Sequence, residues 1–262
     1  VLGERKERRV VAGELMTDYY VIQNGRSLSV AEKFGPTLQG EGPSLGKPAM
    51  FLRLGLCNLD CSWCDTPFTW DWTGKNGVKY DKAEQLSRVT LEEIVDWFVA
   101  SGTNRLVITG GEPLVQKAGL VKLVHLLLDV NPDYRIEIET NGTIEPPLAI
   151  FELVQWNISP KLASSGVHIA KRYIPNALER FTECPQHSFK FVICDPVRDL
   201  LEIKEMVRLH GLSMQDVYLM PEGRSADEIN ARLPELFDIA TTEGTNVTTR
   251  LHVLAFGDRR GV

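Results

Sequence analysis

No apolar run in the sequence reaches the roughly 20 residues that a membrane-spanning helix needs. The opening segment, VLGERKERRVVAGELM, is rich in charge and lacks the apolar core of a signal peptide. The expected compartment is therefore the cytoplasm, with no membrane partner. Internal repeats and low-complexity tracts are also missing. Basic residues are not in surplus: 29 Lys and Arg face 35 Asp and Glu, for a net charge of -6. That balance opposes a non-specific nucleic-acid binder, although a local basic pocket for a small anion stays open. Cysteine is sparse and odd in number, with Cys57, Cys61 and Cys64 clustered and Cys184 and Cys194 far downstream. Without a secretion signal, that distribution fits metal or redox chemistry better than a disulfide framework.

What is present is ordinary for a globular enzyme. A chain of 262 residues, 43% hydrophobic and 24% charged, fits one large α/β domain or at most two small ones. It is long enough to bury a core without disulfide staples. Residues 1–30 are polar and weakly periodic, and read as an N-terminal extension to a domain over 31–262. Short apolar runs at 49–56, 105–109, 135–139, 155–158, 188–193, 216–220 and 249–256 read as strands. Helical spacing covers 91–100, opened by the capping-box pattern Thr90-Leu-Glu-Glu93, and also 115–130, 147–154, 197–210 and 226–243. Residues 65–89 mix aromatics, glycine and charge and read as an insertion loop. Strands alternating with helices imply a largely parallel sheet of βαβ units. Six or seven strands favour an incomplete TIM-like barrel over a closed one. Ligand sites in such folds gather at the carboxyl ends of strands, where polar and glycine-rich segments recur here.

The cysteines follow the pattern Cys57-x-x-x-Cys61-x-x-Cys64. Thiolates are soft ligands that suit iron–sulfur clusters and zinc alike. A structural zinc site wants four protein ligands, and no fourth cysteine or histidine lies nearby in sequence. Three ligands on a cubane would leave one iron open, which catalysis at a metal requires. Spacing alone leaves both readings standing.

The segment CNLDCSWC resembles the cluster-binding signature of the radical S-adenosylmethionine superfamily. The resemblance implies a [4Fe-4S] cluster on Cys57, Cys61 and Cys64, with S-adenosylmethionine chelating the open iron. One-electron cleavage of that cofactor would give a 5′-deoxyadenosyl radical. Thr109-Gly110-Gly111-Glu112-Pro113 resembles the superfamily's GGEP motif, and Glu139-Thr140-Asn141-Gly142 and Ser159-Pro160-Lys161 end the following strands.

Further segments resemble the 7-carboxy-7-deazaguanine synthase family from about residue 30 onward: GPTLQGEG at 35–42, Arg53, Cys64-Asp65-Thr66, FKFVI, YLMPEG and LHVLAFGDRRGV. That resemblance implies conversion of 6-carboxy-5,6,7,8-tetrahydropterin to 7-carboxy-7-deazaguanine with loss of ammonia and help from Mg²⁺, in queuosine and 7-deazapurine biosynthesis. It assigns the cofactor to Trp63, Cys64, Asp65, Gly111, Glu112, Glu139, Ser159, Pro160, Lys161, Met220, Pro221, Glu222 and Gly223. It assigns the pterin to Leu38, Gln39, Gly40, Glu41, Arg53, Thr109 and the chain's last residue, Val262. Thr66 would ligate Mg²⁺. Some relatives carry Gln-Pro where this chain has Met220-Pro221. A flavodoxin- or ferredoxin-like electron donor and a homodimer complete the expectation.

Blander readings accompany these. His252 fits either a substrate contact or a satisfied core histidine. Lys190 reads as a snorkelling strand-edge residue. Cys184 and Cys194 read as buried free thiols, and Trp70 and Trp72 as cover for the cluster loop. Arg259-Arg260 reads as a solvated tail charge or a carboxylate clamp. The competing enzyme is a glycyl-radical activase, which would have no use for QGEG or Thr66. The competing class is a zinc-binding structural module, which metal analysis would separate.

Overall fold

The computed structural model describes residues 25–262. Most of the expected extension, residues 1–24, lies outside the described residues, and Ser27–Val30 already begin a strand. That strand, β1 (Ser27–Leu38), pairs antiparallel with β2 (Pro48–Leu54). A one-turn helix α1 (Lys82–Gln85) leads to β3 (Ser87–Thr90), which pairs antiparallel with the other edge of β1. Then follow α2 (Leu91–Ala100), β4 (Arg105–Gly110), α3 (Lys117–Val130), β5 (Arg135–Thr140) and β6 (Gln155–Ile158). After α4 (Ile169–Arg172) and α5 (Pro175–Thr182) come β7 (His187–Ile193), α6 (Pro196–His210), β8 (Val217–Pro221) and α7 (Ala226–Glu243). The chain ends with β9 (Asn246–Val247) and α8 (Leu251–Phe256).

Among the described residues the strands form one sheet in the order β3-β1-β2-β4-β5-β6-β7-β8-β9. Every pairing from β2 through β9 is parallel. The two ends do not pair, so the curved sheet is an open partial barrel as expected, although it has nine strands among the described residues and not six or seven. The apolar runs account for it: in β4, Leu106 and Ile108 join the helix-covered core, while Val107 packs on the opposite face with Ala49 and Phe51. Trp156, Phe98, Phe181, Phe189 and Phe191 are fully buried. Each such ring contributes on the order of 2–3 kcal/mol of apolar burial. The capping box at Thr90 and Glu93 opens α2, with Glu93 N–H donating to Thr90 Oγ1 at 3.2 Å.

Three expectations change. The segment 249–256 is not a strand: β9 is only Asn246–Val247, and 251–256 coils into α8, with Val253 buried. A short apolar run does not distinguish strand from helix by periodicity, and Gly257 ends the turn. The stretch 147–154 makes only a 3-10 turn at Leu148–Ile150. Within 65–89, a 3-10 turn, α1 and the start of β3 interrupt the loop. No helix among the described residues is long and apolar enough to cross a membrane.

Alternation along the strands decides what faces the barrel interior. On β5, Ile136 and Ile138 enter the helix-side core, so Glu137 and Glu139 point inward. Glu137, fully buried, pairs with Arg105 and accepts from Asn157 Nδ2 at 2.9 Å; Asn157 Oδ1 accepts from Ser188 at 3.0 Å. That layer closes the interior below. One step up each strand lie Arg53, Thr109, Glu139 and Lys190, and these line a cavity.

Candidate active site

The cavity holds about 240 Å³ at the carboxyl ends of the strands. That is far above the roughly 10–15 Å³ that admits one water, so organic ligands fit. Its walls differ in kind.

One wall is the cysteine loop. The chain leaves β2 through Gly55 and Leu56, whose φ of 72° is unusual for a branched residue. Gly111 sits directly beneath: a Cβ there would stand 2.1 Å from Leu56 O and 3.0 Å from Cys57 Cβ. Gly111 N–H donates to Leu54 O at 3.0 Å and Glu112 N–H to Leu56 O at 2.8 Å. The GGEP turn thus braces the start of the loop, and only glycine fits at 111. Trp63 Nε1 donates to Ser164 O at 3.1 Å, and Ser62 N–H to Ser165 O at 2.9 Å. From the far side, buried Asp71 accepts the N–H groups of Gly74, Lys75 and Asn76, and Asn76 Nδ2 then donates to Cys61 O at 3.0 Å.

Cys57, Cys61 and Cys64 all line the cavity. Burial pushes the Cys57 thiol up to about 12, and raises Cys61 and Cys64 as well. Among the described residues no three His, Cys, Asp or Glu side chains are already drawn together as a metal cage. The setting nonetheless fits thiolate ligands. Leu59 N–H points at Cys57 Sγ at 3.4 Å and Trp70 Nε1–H at Cys64 Sγ at 3.3 Å. Three thiols, two of them facing N–H donors, above a glycine floor, fit a cluster with one open iron better than four-ligand zinc.

A second part of the lining is ionic. Glu41, in the turn after β1, pairs with Lys190 and with Arg250 Nε at 3.3 Å. Burial alone would raise its carboxyl, but Lys190 and Arg250 overrule it and hold it far below the usual range. Arg250 also pairs with Asp65 and donates to Gly223 O at 2.8 Å. Asp65 is likewise held low: burial opposes, and Arg250 and then Arg53 prevail. Glu139 accepts from Thr109 Oγ1 at 2.7 Å and Gln39 Nε2 at 3.1 Å. Arg53 Nε pairs with Glu32 at 2.8 Å, and Glu32 also takes Arg260 at 2.8 Å. Burial lowers His252, which stands against Gly40.

The structure brings most of the expected site residues to this cavity: Leu38, Gln39, Gly40, Glu41, Arg53, Trp63, Asp65, Thr66, Thr109, Gly111, Glu139, Ser159, Lys161, Met220, Glu222, Gly223 and Val262 line it with the cysteines. Lys161 Nζ donates to Ser159 O and Oγ at 2.8 and 2.9 Å. Three do not reach it. Pro160 and Pro221 lie outside the lining. Glu112 is fully buried, and its two oxygens accept from Leu114 N–H, Thr140 Oγ1 and Asn141 N–H at 2.7 to 2.9 Å. A carboxylate with both oxygens engaged has little left for a cofactor; here it ties the GGEP turn to the ETNG strand end. Lys190 is no edge residue: it is 7% exposed and aimed inward at Glu41. Cys184 is buried in the core and Cys194 is half-buried, and neither lines the cavity. Arg250 was not singled out in the sequence, although TTR follows β9 where other strands end in functional segments.

Comparison with known proteins matches this geometry. The profile of the Radical SAM superfamily covers residues 53–231. The 7-carboxy-7-deazaguanine synthase of Pyrobaculum aerophilum is 35% identical over 228 residues, which is 86% of this chain and 93% of that protein. The enzyme of the same name from Rhodopirellula baltica is 33% identical over 247 residues, covering 90% and 89%. That of Bacillus subtilis is 30% identical and is covered over 99% of its length. Among solved structures, QueE from Escherichia coli matches with a TM-score of 0.64 at 26% identity, over 86% of this chain and 95% of that one.

Proposed function

The chain belongs to the radical SAM superfamily and, within it, to the 7-carboxy-7-deazaguanine synthases, lyases whose cofactors are a [4Fe-4S] cluster and S-adenosylmethionine; from that premise we propose the following chemistry for its cavity. The substrate is 6-carboxy-5,6,7,8-tetrahydropterin, and its pyrazine ring contracts to the pyrrole of 7-carboxy-7-deazaguanine as ammonia leaves. Substrate and products balance without an external oxidant. The cluster and cofactor, when bound, supply a radical that takes a hydrogen atom from the substrate.

The rest falls to this chain's residues. Cys57, Cys61 and Cys64 hold the cluster. Arg53 grips the pterin carboxylate, since its bond to Glu32 uses one of five N–H donors. Gln39 and Glu41 meet the amino and ring N–H groups, with Thr109 beside them. Glu139 orients both Gln39 and Thr109 by accepting from each. Thr66, whose Oγ1 lies 3.8 Å from Cys64 Sγ, is the protein ligand to Mg²⁺. A hydroxyl is a weak ligand for that ion, so the substrate carboxylate supplies much of the affinity. The Asp65, Ser159–Lys161 and Met220–Gly223 segments receive the cofactor. We propose further a cytoplasmic homodimer reduced by a flavodoxin- or ferredoxin-like donor.

The observation that carries this reading is that Gln39, Glu41 and Arg53 line the same cavity as the three cysteines. Anaerobic incubation with reductant, S-adenosylmethionine and 6-carboxytetrahydropterin tests it. The expected outcome is a new deazaguanine absorbance together with ammonia. Cofactor cleavage without that product refutes the substrate, and zinc in place of iron and sulfide refutes the radical chemistry.

A further inference from the structure

Arg250 is 8% exposed and bonds to three separate recognition segments. Nη1 donates to Gly223 O at 2.8 Å, at the end of the segment after β8. Nη2 pairs with Asp65, directly after the last cluster cysteine. Nε reaches Glu41 Oε1 at 3.3 Å, in the turn after β1. In the reading above, on which this inference rests, Asp65 and Gly223 lie on the cofactor side and Glu41 on the pterin side. We infer that Arg250 is a positioning residue that couples the two subsites, so that filling either one strengthens binding at the other.

A guanidinium is a rigid planar fork, so its three bonds cannot adjust independently. Of the distances to Gly223 and Glu41, the one to Glu41 is the longer. Glu41 also holds a second cation in Lys190, so it can exchange Arg250 for pterin N–H groups without being left unpaired. Arg250 then commits to Asp65 and Gly223 and firms the cofactor side. The backbone ties the same parts together: Leu251 N–H donates to Gly40 O at 2.9 Å, and Gly42 N–H to Thr248 Oγ1 at 2.8 Å. A shift of the 39–42 turn is thereby passed to residue 250. Linkage makes the effect reciprocal.

The test uses the full chain with its cluster reconstituted anaerobically and no reductant, so that both ligands bind without turnover. S-adenosylmethionine affinity is measured by equilibrium dialysis with and without saturating 6-carboxytetrahydropterin. The expected result is tightening by about 5-fold or more in the unaltered protein. In Arg250→Met the factor falls close to one, while iron content and cluster absorbance are unchanged. Arg250→Lys, which keeps the charge but cannot span three partners, recovers part of it. If Arg250→Met does not fold, Asp65→Asn is the second variant and lowers the same factor. The inference is overturned if both ligands bind yet show no coupling, or if the coupling survives in these variants. Failure of the pterin to bind the unaltered protein overturns the substrate reading itself.

Discussion

Cys57 and Glu41 face the same cavity and burial pushes both toward the neutral form, yet only Glu41 has cations that overrule it. The thiol has no cation beside it, and desolvation drives it toward the neutral form, up to about 12. The carboxylate has Lys190 and Arg250, and stays ionised despite desolvation. On the cysteine wall Lys161 acts on Cys61 without overcoming burial, whereas on the ionic wall the cations prevail. In the function proposed above, iron would complete the cysteine wall, whereas the ionic wall already pairs its charges within the protein and would exchange partners to take a ligand. Binding on the first side adds charge compensation; binding on the second side competes for it.

The largest effect that can break this contrast is on the cysteine wall. Cys61→Ala should reduce formation of 5′-deoxyadenosine from S-adenosylmethionine to background, with the circular dichroism of the fold retained. Cofactor cleavage that persists in this variant would remove Cys61 from the cluster. Next comes the ionic wall. Lys190→Met leaves Glu41 with Arg250 alone, and breaking a buried pair typically costs about 3–5 kcal/mol. The remaining partner points to the lower end, and each kcal/mol lowers the melting temperature by roughly 2–4 °C in a chain of this size. The double variant Glu41→Leu/Lys190→Met should regain most of that stability without regaining turnover. An unchanged melting temperature in Lys190→Met would show that the pair is not holding the wall together.

Thr66 stands between the two walls and sharpens the comparison. Thr66→Ala should slow turnover several-fold and raise the Mg²⁺ concentration needed for half-maximal rate, while the iron–sulfur absorbance stays intact. Loss of the cluster in that variant would assign Thr66 to the cysteine wall instead.

The cysteine wall was legible in the sequence because its residues are contiguous. CNLDCSWC and the GGEP turn are local patterns, and Gly111 is required by one close approach to Leu56. The ionic wall was legible only in part. Glu41 and Asp65 sit in recognisable segments, but Lys190 and Arg250 become cavity residues only through sheet register. Alternation on β7 turns Lys190 inward while Phe189 and Phe191 enter the core. Arg250 follows a two-residue strand too short to show any period. Glu112 differs in the other direction: a motif residue that the resemblance assigns to the cofactor is engaged by three internal hydrogen bonds. β1 escaped notice because register shifts between Val30 and Glu32 and between Phe34 and Thr37 break its alternation.

The smallest expected effect is one of slope with pH, and it separates the walls most cleanly. Glu41 titrates lower in the folded protein than in the unfolded chain, where a glutamate has a pKa of about 4.3. Its contribution to stability is therefore present above about pH 4.3 and is lost as pH falls below that value toward the folded pKa. Glu41→Gln resembles the protonated side chain at every pH. Urea unfolding of the metal-free protein and of Glu41→Gln should show a stability gap that is widest at pH 7 and narrows between about pH 4.3 and 3. The thiols stay neutral throughout that range, since burial raises all three. Cys61→Ala should accordingly shift stability by a constant amount across the same series. A gap for Glu41→Gln that stays constant down to pH 3 would mean that Lys190 and Arg250 do not hold Glu41 ionised, and the contrast between the two walls would fail.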